Sequence, residues 1–68
     1  MAMNLMKRIG HIRTYLNNKG YDKDIPEDVF IHAIMVLEGM TYKKAVEWMH
    51  NFNTTELISY KDFKVNFK

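Results

Sequence analysis

Sixty-eight residues carrying a formal net charge of +2 and no cysteine make one small domain, 1–68, which buries only about 60% of the surface that its unfolded chain exposes. Disulfides and thiolate metal sites are excluded, so the support that so thin a core needs is expected from a second copy or another protein. The apolar residues of MAMNLMKRIGHIRTYL are broken by Lys7, Arg8 and Arg13, no apolar run approaches the roughly 20 residues that cross a bilayer, and a cytoplasmic protein with no membrane partner is expected.

The small net charge conceals a division along the chain. Residues 1–20 hold Lys7, Arg8, Arg13 and Lys19 and no acid; residues 21–40 hold Lys23 against Asp22, Asp24, Glu27, Asp28 and Glu38; residues 41–68 are again basic, with five lysines against three acids.

Leu5, Ile9, Ile12 and Leu16 recur at the spacing of one helical face, predicting a first helix over 4–18. Lys7, Arg8, His11 and Arg13 fall outside that stripe, and Gly20 suits a left-handed C-terminal cap. A second helix is predicted to open near Asp24, which is placed to cap it, with Pro26 in its first turn and Glu27 three residues after Asp24. From Val29 to Leu37 it is apolar nearly all round, as in a central core helix or a subunit interface. Gly39 ends it. Thr41 then caps a third helix whose buried stripe is expected to be Tyr42, Ala45, Val46, Met49 and Phe52. In the tail, Phe63, Val65 and Phe67 alternate with Lys64, Asn66 and Lys68, which is strand periodicity. Leu57–Tyr60 reads either as a partner strand across a turn at Lys61-Asp62 or as the end of a fourth helix. The fold class expected is therefore mainly α: a compact three-helix domain whose C-terminal segment is a short β-hairpin or strand, or a fourth helix.

The run GMTYKKAVEWMHNFNTTELISYKDF resembles a helix-turn-helix, with Ala45 at the small position of its first helix and Trp48 and Ile58 at apolar ones. It departs from that pattern at Lys44, Met49 and Thr55. A second register pairs helices two and three and takes residues 57–68 as a hairpin wing, an order compatible with winged-helix proteins. Either resemblance implies a DNA-binding regulator, with Lys7, Arg8 and Arg13, or Lys43 and Lys44, as the phosphate contacts. Gly20-Tyr21 and Ala45-Val46-Glu47-Trp48-Met49 are also similar to pieces of ubiquitin-associated-like modules, but their interval is longer than in that family and no functional residue is carried over.

Chemistry has little to work with. His11, His32 and His50 never pair at i+3 or i+4, so no metal site is expected. Counting a calcium loop from Asp22 puts Glu27 where glycine is needed and Ala33 where an acid is needed. There is no glycine-rich phosphate loop and no nucleophile spaced near a histidine, so no catalytic residue, cofactor or small-molecule substrate is expected. Six methionines and nine aromatic residues exceed the needs of one small core, and such residues are enriched at interfaces. The leading expectation is thus a non-enzymatic regulatory or adaptor protein that binds protein and self-associates, using Phe30, Met35, Trp48 and Phe63. DNA binding is the alternative. Richness in Lys, Asn, Ile and Tyr suits a bacterial or phage origin.

Overall fold

The computed structural model describes residues 5–68; the predicted helix start at residue 4 and the side chain of Leu5 lie outside the described residues. Three helices form, α1 (Leu5–Asn18), α2 (Glu27–Glu38) and α3 (Tyr42–Thr54), with three strands, β1 (Ile25–Pro26), β2 (Ile58–Lys61) and β3 (Lys64–Phe67). Mainly α with a C-terminal hairpin is the fold, and the fourth-helix reading of the tail gives way to strand.

Each helix stops on a left-handed residue. After α1, Gly20 takes φ +92°; its N–H donates to the Asn17 carbonyl and that of Tyr21 to the Leu16 carbonyl, the crossed pair of a Schellman motif. Gly39, at φ +65°, closes α2 with a single bond to the Met35 carbonyl. The end of α3 repeats the crossed pattern, Glu56 to Asn53 and Leu57 to Phe52, with Glu56 at φ +63° in the place that favours glycine. Thr41 caps α3 as expected, its hydroxyl accepting from the Lys44 N–H.

Asp24 does not cap α2. Ile25 is wholly buried by pairing with Val65 while Pro26 pairs with Lys64, so the residues expected in the first turn form β1 instead. Proline is tolerated there because β1 is an edge strand. Pro26 becomes the N-cap with no side-chain acceptor, and the Glu27 N–H finds the Phe63 carbonyl at 3.0 Å. Asp24 turns outward at φ +48°, donating its N–H to Asn66 Oδ1 at 2.8 Å and accepting from Asn66 Nδ2 at 3.3 Å. Glu27 and Asp28 remain in the first turn, where the helix dipole favours acids.

The sheet is antiparallel with order β1-β3-β2. Lys61 pairs with Lys64, so the hairpin loop is the two residues Asp62-Phe63, one place later than predicted. Both have positive φ, 52° and 62°, the primed turn that suits strand twist and that Asn-Gly adopts most readily. Phe63 therefore lies in the turn rather than on the strand face, with its side chain 73% exposed. A left-handed conformation costs an L-residue about 1–2 kcal/mol, and an exposed ring gains little in return. Phe63→Gly is expected to raise stability by about 1 kcal/mol and the melting temperature by about 4–8 °C, read from a thermal melt.

Four rings tie the elements together. Phe67 lies 5.9 Å from Phe30, Phe30 6.4 Å from Phe52 and Phe52 5.8 Å from Trp48, running from sheet through α2 to α3. Arginines of α1 stand over the two ends: Arg8 4.7 Å from the Trp48 ring, Arg13 5.7 Å from that of Phe67. Phe30 is thus 0% exposed, a core residue and not the surface contact expected of it. Tyr42 errs in the other direction: it is expected in the buried stripe but, as the first residue of α3, is 56% exposed. The helix-turn-helix register within 39–63 also fails, since α3 runs unbroken through the proposed turn at Met49, which is buried. The tight turn lies between α2 and α3, at residues 39–41. Among the described residues, no helix is long and apolar enough to cross a membrane.

Candidate nucleic-acid interface

Burying Ala45, Met49 and Phe52 turns the opposite side of α3 to solvent. Lys43, Glu47, His50 and Thr54 follow one another at three- and four-residue steps, with Lys44 and Asn51 alongside; all six are exposed. Lys43 and Lys44 stand in the first turn, which contains no acid. The partial positive charge of the helix dipole disfavours cations there, so these lysines work against helix stability and make one end of α3 strongly electropositive. Glu47, His50 and Asn51 follow on the same face and offer an acceptor, a donor-acceptor ring and a bidentate amide, the groups that read base edges.

The basic residues of α1 are placed differently. Arg8 pairs with Glu38 at the last turn of α2 and lies on Trp48, so it fastens α1 to α2 and α3. Arg13 is exposed but stacked over Phe67. Lys7 is exposed on α1. Of the residues expected at phosphates, only Lys43 and Lys44 come together on a common polar face. Of those expected at a protein interface, Trp48 and Met35 are half-buried against the core, Phe30 is inside it, and Phe63 alone is fully presented.

His50 links the α3 face to the hairpin. Its ring meets Tyr60 edge-on at 6.2 Å, the Tyr60 hydroxyl donates to Glu27 Oε2, and the Glu27 N–H reaches Phe63. These contacts run from α3 through β2 to the start of α2, where the hairpin tip lies. The Tyr60 hydroxyl is pushed above its usual 10.0, first by its hydrogen bond to Glu27, then by burial and by the carboxylate charge. A raised pKa means that the folded state holds this proton more tightly than the unfolded state. The contribution is complete below about pH 10 and is lost as pH rises through the higher folded value. Denaturant titrations at neutral pH and above about pH 10 should show a steeper alkaline loss for the parent chain than for Tyr60→Phe.

His11, His32 and His50 lie in three different helices and are all exposed. Among the described residues, no group of three or more His, Asp or Glu could hold a metal. A groove of about 300 Å³ runs between α1 and α2, with Tyr15, Tyr21, Val29 and Val36 on its walls. The chain matches no family model, no curated protein and no solved structure.

Asn51, like Lys43, Lys44 and Glu47, falls outside the apolar stripe in the sequence and is exposed as expected. Sequence reading missed His50 as a member of that face, although its i+7 spacing from Lys43 was available. The narrow outward strip of α2 was expected to run through Asp28, His32 and Met35. Asp28 and His32 are exposed, but Val36, one turn after His32 and 63% exposed, takes the place expected of the half-buried Met35.

Proposed function

We propose that this chain is a small, non-enzymatic DNA-binding regulator of winged helix-turn-helix type, with α3 lying in the major groove and Lys43 and Lys44 on flanking phosphates. The observation that carries the reading is the pair of exposed lysines on the positive end of α3, held there against the helix's own preference and followed by base-reading side chains. Three further features support it: the tight α2–α3 turn, the hairpin that follows α3, and the strand order β1-β3-β2 that seats the hairpin beside α2. A cytoplasmic setting suits a protein of this kind.

Duplex binding measured by anisotropy across a salt series tests it. Affinity should be greatest near 50 mM salt and fall linearly on a double-logarithmic plot, with a slope of about −0.9 for each phosphate contacted. Absence of binding near 50 mM salt overturns the reading.

Self-association is a second reading, favoured by Val36, which stands 63% exposed beside the α1–α2 groove. It supplies the chain support that so small a core calls for. A monomer in sedimentation at high concentration, unchanged by Val36→Lys, removes it.

A further inference from the structure

The hairpin tip contains two local conflicts that the fold does not need. The Phe63 carbonyl is needed, because it accepts from the Glu27 N–H at the start of α2, but any residue supplies a carbonyl, and glycine or asparagine would supply it at φ +62° with less strain. The other non-glycine residues with positive φ have their reasons. Asp24 and Asp62 are of a type that tolerates the conformation, and Glu56 closes α3. A bulky aromatic in that conformation, 73% exposed, has no such reason. The second conflict is the direct pairing of Lys61 with Lys64, since like charges placed opposite one another destabilise a hairpin.

One ligand resolves both conflicts. An exposed aromatic ring in a turn bounded by a pair of lysines matches an unstacked nucleobase with its flanking phosphates, because bases stack on aromatic side chains and lysines track the backbone. We propose that the hairpin tip is a base-stacking element: Phe63 packs against a base that has left the duplex stack, while Lys61 and Lys64 hold the phosphates on either side. Asp28 flanks Phe63 along a shallow recess with Pro26 and Lys64, where its carboxylate can accept from an exocyclic amino group of that base. Of the other carboxylates nearby, Asp24 is engaged by Asn66 and Glu27 by Tyr60, while Asp62, in the turn itself, shares a recess with Lys61 and Lys64. The inference rests on the nucleic-acid reading of α3 and narrows it: the preferred target is a duplex carrying an unpaired or displaced base at the position of the tip.

The test compares a short duplex with the same duplex bearing one bulged 2-aminopurine, at about 50 mM salt. The bulged probe should bind more tightly, and its fluorescence should be quenched on binding as the base stacks on Phe63. Phe63→Gly should lose the preference for the bulge, weakening that complex roughly 5- to 150-fold, the effect of removing one aromatic–base stack. Binding to the plain duplex should change little, and Phe63→Trp should keep the preference. Because Phe63→Gly is expected to be the more stable protein, loss of binding cannot be attributed to unfolding. Equal affinity for the two probes, or a preference that survives in Phe63→Gly, overturns the base-stacking role and leaves the α3 reading in place. Binding of neither probe overturns both.

Discussion

Phe30→Ala is expected to remove a large share of the domain's stability, and all of it at the low end of the range for a chain this short. A domain of this length has about 3–10 kcal/mol of stability in hand, and truncating a buried phenylalanine costs about 3–5 kcal/mol in lost transfer energy and residual cavity. The site offers little room to relax. Phe30 is 0% exposed and stands between Phe52 on α3 and Phe67 on β3, so a void there uncouples the sheet from both helices. Phe30→Leu, which keeps most of the volume, should lose a fraction of that amount and remain folded. Circular dichroism during urea titration checks both. An alanine variant within about 1 kcal/mol of the parent would mean that the three rings do not act as the structural centre.

Lys43→Glu combined with Lys44→Glu is expected to weaken duplex binding sharply while leaving the fold at least as stable. Each lysine on a phosphate contributes about one unit to the salt slope, so removing two should flatten the slope by about two units. Reversing their charge adds repulsion and should weaken binding well beyond tenfold at low salt. Meanwhile the first turn of α3 gains acids at the end of the helix where the dipole favours them, so the melting temperature should hold or rise. Lys19→Glu with Lys23→Glu makes the same change in net charge on exposed residues away from α3 and should affect binding only modestly. Equal loss in both double variants would show that net charge alone drives association and that α3 has no special part in it.

The helices were legible because α1 and α3 carry a periodic apolar stripe and α2 a long apolar run, with Gly20 and Gly39 as chemical stops after α1 and α2. What escaped the sequence has local causes. A two-residue strand containing proline has no period to detect, and Ile25 joins the sheet only because Val65, far along the chain, is there to cover it. The good start chemistry around Asp24 was outweighed by burial of its neighbour. Phe63 followed the alternation of Val65 and Phe67 and so read as strand, yet the turn claimed it. The role of Phe30 turned on which side of an all-apolar helix faces in, and that is decided by its neighbours Phe52 and Phe67. The candidate surface was legible in part: Lys43 and Lys44 stood out by charge, and so did Arg8 and Arg13 of α1, which the structure stacks on aromatic rings.

The row of rings from Phe67 to Trp48 has an optical consequence. The chain contains a single tryptophan, and its indole lies against Phe52 with the Arg8 guanidinium over its face. Its emission therefore originates from one defined place, where Arg8 of α1 reaches over α3. Any event that lifts α1 away replaces the Arg8 cation with water over the indole face while Phe52, on α3 itself, stays in place, shifting the spectrum to the red. Separation of that helix can thus be followed in real time without a label, apart from the melting of the rest of the domain.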